Sequence, residues 1–192
     1  GNSLSLLNSP RGIIRHPTSD GIFVADYYNN RTLYYQDGVL NGTVVAGGNG
    51  GGVKNNQLNY PMGMHFDIES NSLLITNSIT NNVVKWRLGA SNWALLTGDA
   101  NGTISSASNG LFYPTDVILD PMSNMYVVDA GNYRVQLFLA GETNGKTIAG
   151  TTGVPGNNAS LFGLPYSIVL DSQLNLYVSD YLNHRVQKFI RY

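Results

Sequence analysis

A single phrase recurs four times along the chain, and this internal repeat restricts the possible folds more than any other feature. Pro10-Arg11-Gly12-Ile13-Ile14 returns as Pro61-Met62-Gly63-Met64-His65, Pro114-Thr115-Asp116-Val117-Ile118 and Pro165-Tyr166-Ser167-Ile168-Val169. The intervals are 51, 53 and 51 residues (10 to 61, 61 to 114, 114 to 165). Asp26, Asn77, Asp129 and Asp180 keep the same phase, 16, 16, 15 and 15 residues after their prolines. A period near 50 residues built of short apolar runs marks a unit that cannot bury its own faces and must stack on its neighbours, as a β-propeller blade does.

Each unit reads as four strands. In the third copy, Val117 to Leu119 is followed by the turn residues Asp120-Pro121-Met122-Ser123-Asn124, then by a strand from Met125 to Val128. Asp129-Ala130-Gly131-Asn132 makes a second turn before strands over Arg134 to Leu139 and Lys146 to Ala149. The fourth copy repeats this order as far as Arg185 to Ile190, with no room for a fourth strand. Apolar stretches rich in Val, Ile, Leu and Tyr, bounded by Gly, Asn, Asp and Pro, carry the strand pattern, and no segment has a helical period. The expectation is one all-β domain over 1–192, a β-propeller segment of four-stranded antiparallel blades. Its repeats span about 8–57, 58–110, 111–160 and 161–192, three complete and a fourth lacking its outer strand. Gly1 to Asn8 hold the phase that follows a fourth strand, so the chain reads as a fragment of a longer array whose remaining blades are expected partners.

Composition narrows the function classes. The chain is 42% hydrophobic but only 12% charged, with net charge −1, against about 25% charged residues in ordinary globular domains. Nucleic acid is thus disfavoured as a partner; Arg185, Lys188 and Arg191 are the nearest approach to a basic cluster, too few for a phosphate-tracking surface. The absence of cysteine excludes disulfides, thiolate zinc sites and thiol nucleophiles. No apolar run approaches the roughly 18–20 residues of a membrane-spanning helix. A soluble protein is expected, its compartment open, with sequons at Asn30, Asn41, Asn101 and Asn158 leaning towards an extracellular one.

The stretch Leu176-Tyr177-Val178-Ser179-Asp180-Tyr181-Leu182-Asn183-His184-Arg185-Val186-Gln187-Lys188-Phe189 resembles the NHL repeat almost letter for letter. Tyr126 to Phe138 and Val24 to Arg31 resemble it too, and the second copy departs with Asn77 and Asn82 in place of Asp and Arg. The resemblance implies a propeller, most often six-bladed, of which about two blades would lie outside this chain; a closed four-bladed ring is the alternative. It also implies a non-catalytic scaffold that binds protein or another macromolecule, as the recognition part of a larger protein such as a tripartite-motif-like ubiquitin ligase.

Candidate residues fall into two groups. Asp26, Asp129 with Arg134, and Asp180 with Arg185 recur in every matching copy, which suits a structural turn in which the carboxylate caps backbone N–H groups and pairs with guanidinium. Arg11, Met62, Thr115, Asp116 and Tyr166 follow the blade prolines, where the resemblance to NHL-like propellers implies that side chains converge on the central channel, and Tyr28, Tyr133 and Tyr181, with Tyr27, are expected to be exposed aromatics at the second turns. Tyr joins a large contact area to a polar tip and is efficient at interfaces.

The alternative is a metal-dependent propeller enzyme, peptidyl-amidoglycolate lyase-like or a calcium-dependent hydrolase. In the lyase, zinc-binding histidines directly follow the blade proline, whereas Arg11, Met62, Thr115 and Tyr166 stand there in this chain. Asp116 is the one carboxylate just past a blade proline. His16, His65 and His184 lack partners at ligand spacing, and Gly47 to Gly52 lacks the Lys-Ser/Thr of a P-loop. No catalytic residue, metal site or cofactor is expected.

Overall fold

The computed structural model describes residues 1–190. Arg191, the third cation of the expected cluster, and Tyr192, the end of the last expected repeat, lie outside the described residues. Among the described residues, fifteen strands form four antiparallel sheets, each a simple meander. The first contains β1 (Pro10–Arg15), β2 (Ile22–Asp26), β3 (Arg31–Tyr35) and β4 (Thr43–Gly47). The second contains β5 (Pro61–Asp67), β6 (Ser72–Asn77), β7 (Asn82–Arg87) and β8 (Ala94–Gly98). The third has β9 (Pro114–Leu119), β10 (Met125–Asp129), β11 (Arg134–Phe138) and β12 (Lys146–Gly150); the fourth has β13 (Pro165–Leu170), β14 (Leu176–Asp180) and β15 (Arg185–Phe189). These are the blades of an all-β propeller, and the last has three strands among the described residues. Helix is confined among them to single 3-10 turns at Tyr27–Asn29, Ala130–Asn132 and Tyr181–Asn183.

The recurring Asp and Arg hold the second turn in place. Asp26, Asp129 and Asp180, each fully buried, accept hydrogen bonds from the backbone N–H of Asn8, Phe112 and Gly163, two residues before each blade proline. Their second oxygen takes Nε of Arg31, Arg134 and Arg185 at 2.7, 2.8 and 2.9 Å. Each guanidinium then reaches carbonyls of the loop leading into that blade: Ser3 and Leu6, Ala107 and Gly110, Asn158 and Leu161. One ion pair therefore fastens the strand turn to the inter-blade crossover. The second blade is held differently, as its sequence suggested: Asn77 Nδ2 donates to Asn82 Oδ1 at 3.0 Å, and no charge is involved. The first hairpins close in their own way, with Asp120 Oδ1 accepting N–H bonds from Met122 and Asn124, and Asp171 from Gln173 and Asn175.

Apolar faces of adjacent blades make the core. Phe23 and Ala25 meet Met64, Leu73, Ile75 and Trp86 between the first two blades. Leu74 and Val83 meet Val117, Met125, Val127 and Phe138 between the second and third, and Tyr126, Val128 and Val135 meet Ile168, Leu176 and Val178 between the third and fourth. Burying each such side chain stabilises by about 1.5–3 kcal/mol. No such cluster joins the fourth blade to the first among the described residues. The third residue after each proline shows the consequence: Met64, Val117 and Ile168 are 4, 0 and 6% exposed, whereas Ile13 is 63% exposed. Val169 and Val186 are likewise exposed on the far face of the fourth blade. Among the described residues, the outward faces of the first and fourth blades are thus uncovered at these positions.

Candidate functional site: an axial pocket beside a tyrosine cluster

The first strand of every blade carries one extra residue immediately after its proline. Pro114 pairs with Asp129 and Asp116 with Val128, leaving Thr115 unpaired; Pro165 pairs with Asp180 and Ser167 with Ser179, leaving Tyr166 unpaired. The first and second blades break register at the same place. Such bulges bend a strand and re-aim a side chain. Here they turn Arg11, Met62, Thr115 and Tyr166 towards a common axis, where these residues, with Gly12, Gly63, Asp116 and Ser167, line a pocket of about 300 Å3. The five post-proline candidates are thus brought together.

Close approach of the first strands depends on two glycines. A Cβ at Gly12 would collide with the Met62 carbonyl, and one at Gly63 with the Thr115 carbonyl and the Asp116 carboxylate. In the third and fourth blades the same position holds Asp116 and Ser167, whose side chains bond to each other. Asp116 Oδ2 accepts Ser167 Oγ–H at 2.6 Å and the Ile168 N–H at 3.0 Å, and Oδ1 accepts the Val117 N–H at 2.9 Å. Desolvation by burial outweighs these bonds and pushes the Asp116 carboxyl above the ordinary carboxylate range. Thr115 lines the pocket but is itself only 3% exposed, and its hydroxyl is enclosed in protein without a hydrogen-bond partner.

Arg11 spans the axis. Its Nη1 donates to Tyr166 Oη at 3.2 Å, and its guanidinium lies 5.1 Å from the Tyr27 ring centroid, within cation–π range. Tyrosines surround it at one end of the propeller. Tyr27, Tyr28 and Tyr60 pack edge to face with centroids 4.9 to 5.7 Å apart, and Tyr166 lies 6.0 Å from Tyr181. Burial and hydrogen bonding with Tyr27 push the Tyr113 phenol up to about 12, and burial also raises Tyr166, against the pull of Arg11. Tyr28 and Tyr181, 53% and 64% exposed, are the accessible members of this cluster.

Tyr133 occupies a different place in its turn. It closes its 3-10 turn in the left-handed conformation, φ 57°, the place taken by Asn30 and His184 in the neighbouring blades, so it is not the counterpart of Tyr28 or Tyr181. Conversely, Tyr60 and Tyr113 were not among the candidates. They precede blade prolines at φ 54° and 51°, a conformation rare for bulky residues and disfavoured before proline. Asn30 and Asn81 Oδ1 fix them by accepting their backbone N–H. The visible signal was the recurrence of Tyr at the position before proline in two copies.

Among the described residues no three His, Asp or Glu side chains gather as a metal-holding group. The neighbours of Asp116 are N–H and O–H donors, which suit a carboxylate, whereas calcium takes six to eight oxygen ligands; the surroundings do not fit that ion.

Comparison with known proteins agrees with this architecture. Residues 162–189 match the NHL repeat. The chain carries an NHL repeat within a propeller arrangement of antiparallel sheets. No curated protein matches it by sequence. Among solved structures, a protein of unknown function from Bacteroides thetaiotaomicron superposes with a TM-score of 0.75 at 15% identity, over 93% of this chain and 46% of that one. A putative gluconolactonase superposes with a TM-score of 0.71 at 13% identity, over 97% and 60%. A chain of a nidogen/laminin complex does so with 0.68 at 19%, over 96% and 65%. The chain thus spans roughly half to two thirds of the length of these structures, and the likeness is one of fold.

Proposed function

We propose that the protein is a non-catalytic recognition module that binds an extended polypeptide across the tyrosine-lined end of its axis, as part of a larger protein. The observation that carries this reading is the linked cluster of Arg11 and six tyrosines, drawn from all four repeats, of which Arg11 and Tyr166 line the pocket. Tyr and Arg dominate binding hot spots, and Tyr offers a large contact area for only two rotatable bonds. With a net charge of −1 and 12% charged residues, the chain lacks the electrostatic means to hold a phosphate backbone. A structural neighbour taken from a protein–protein complex supports the same use of the fold. A tripartite-motif-like ubiquitin ligase is one host in which such a module would select a substrate.

Asp116 favours a second reading, an axial enzyme in which this carboxyl group, raised by burial, moves a proton; the gluconolactonase-like neighbour is consistent with it. The two readings separate on Asp116→Asn, which removes a proton carrier while keeping most of the shape.

The test is selection from a random peptide library displayed on phage, run against the protein and against a Tyr28→Ala/Tyr181→Ala variant. Peptides enriched by the former and not by the variant support the recognition module. Absence of enrichment, or the same peptides enriched on both, contradicts it.

A further inference from the structure

A second cleft, sharing no lining residue with the axial pocket, lies between the second and third blades. Its origin is one cross-strand pair. The equivalent pairs are Phe23 with Tyr34 in the first blade, Tyr126 with Leu137 in the third and Tyr177 with Lys188 in the fourth, but Leu74 with Lys85 in the second. Phe23 and Tyr34 pack against the second blade, and Tyr126 and Leu137 against the fourth. The second blade offers the third no ring here, and Lys85 turns to its own blade, donating from Nζ to Asp67 Oδ2 at 2.9 Å. What remains is a cleft of about 320 Å3, walled by Leu74, Leu95, Leu96, Leu119, Met125 and Phe138. That is the small end of ligand sites.

The other blades show what the missing ring does. Asp67, Asp120 and Asp171 are equivalent, each six residues after its proline (61 to 67, 114 to 120, 165 to 171). In the fourth blade Tyr177 Oη donates to Asp171 Oδ2 at 3.2 Å, and Lys188 Nζ lies 5.2 Å from the Tyr177 ring centroid, within cation–π range. The third blade keeps the phenol contact, Tyr126 Oη to Asp120 Oδ2 at 3.4 Å. The second blade has the carboxylate and the ammonium of the fourth without the phenol. Both groups are open to solvent, the Lys85 side chain 32% and that of Asp67 13% exposed. Lys85 uses one of its three N–H donors on Asp67. Asp67 Oδ1 accepts one N–H, from Glu69, where Asp120 and Asp171 Oδ1 each accept two. Asp67 and Glu142 together outnumber Lys85 at the cleft, which disfavours an anionic ligand. A phenol is neutral at pH 7 and suits both the apolar walls and the free acceptor.

We infer that the cleft between the second and third blades receives the side chain of a tyrosine from a bound polypeptide, its ring beside Lys85 and its hydroxyl on Asp67. A polypeptide is the source because Leu95 and Leu139 at the cleft are 40% and 57% exposed, apolar surface that the chain flanking such a ring would cover. The site is separate from the axial end and does not rest on the reading proposed for it.

Met125 lines this cleft and Met62 the axial pocket, so 13C-methyl-methionine protein tells the two sites apart. The probes are the N-acetyl, N-methylamide derivatives of tyrosine, phenylalanine and leucine, with p-cresol as the free ring. The expected result is a saturable shift of the Met125 methyl with the tyrosine probe, about tenfold weaker with phenylalanine and leucine, the loss of one hydrogen bond to a charged group. Leu74→Tyr gives the second blade the residue that the third and fourth carry, and should abolish the response by filling the cleft from within. Lys85→Leu, with the residue of the third blade at that place, should weaken binding about tenfold and serves alone should Leu74→Tyr fail to fold. No response at Met125, equal response to the three capped amino acids, or unchanged binding by either folded variant overturns the inference. So does a cleft that takes p-cresol and refuses the capped tyrosine, whose occupant would be a free phenol.

Discussion

Ser167 Oγ donates a 2.6 Å hydrogen bond to Asp116 Oδ2, joining the fourth blade to the third at the axis across 51 residues of sequence. The same ring position in the first two blades is glycine, so this clasp exists once, while the close approach of the strands exists in every pair.

Ser167→Ala should therefore lower stability by about 1 kcal/mol, the net worth of a hydrogen bond, and Asp116→Ala by about 1–3 kcal/mol, because the Ile168 and Val117 N–H groups lose their acceptor. Urea unfolding of both variants checks this. Equal, negligible changes would show that the clasp adds nothing to blade packing.

The buried turn pairs should matter more where the arginine is more enclosed. Asp180→Ala is expected to cost about 1–2 kcal/mol, and Asp129→Ala more, since the Arg134 side chain is 4% exposed and that of Arg185 28%. Thermal unfolding at neutral pH gives the order. An unchanged midpoint for Asp180→Ala would contradict the fastening role of the pair.

These turns were legible in the sequence because they are local: an Asp and an Arg five residues apart, repeated in phase, leave few alternatives to a cross-turn pair. The strand order of the third and fourth blades was legible for the same reason. The site was less so. The repeat phase made Arg11, Met62, Thr115 and Tyr166 equivalent and the family resemblance implied their convergence, but the bulge that aims them and the glycines that admit them are properties of neighbouring strands. Tyr60 and Tyr113 read simply as residues ahead of a strand, since nothing local announces a positive φ before proline. Tyr133 lies at the second-to-third strand turn as read from the sequence, but at its closing position rather than inside the 3-10 turn, a difference between aromatic positions that look alike in sequence.

Acid should act on the fold with two signs: His65 and Asp180 weaken it, whereas Asp116, whose carboxyl is raised by burial, binds its proton more readily when folded and opposes them. Burial lowers the His65 imidazole below its ordinary 6.5, so the unfolded chain binds more protons there, and stability falls as pH drops below 6.5. At Asp180 burial pushes upward, but hydrogen bonds from Asn183, Leu164, Arg185 and Gly163 win and hold the carboxyl below its ordinary 3.8. Its contribution is present above 3.8 and is lost as pH falls through the lowered value. Denaturation curves from pH 7 to 3 should show His65→Asn removing the first slope only; retention of that slope would assign it elsewhere.

The uncovered end faces should make the chain associate. Ile13, Val169 and Val186 are 63, 59 and 66% exposed, and β15 presents an outer edge beside them. Light scattering of the 192-residue chain should rise with concentration, and Ile13→Lys with Val186→Lys should suppress the rise. A monodisperse monomer at all concentrations would argue that these faces are already compatible with water or with each other.

Hydrogen exchange with and without a phage-selected peptide locates the recognition surface directly. Protection is expected at 27–31, 60–63, 113–116, 165–167 and 181–185, the tyrosine end and the post-proline bulges, with the opposite hairpins at 16–21, 68–71, 120–124 and 171–175 unchanged. Protection confined to those hairpins, or to the outer strands β4, β8 and β12, would contradict binding across the axial end.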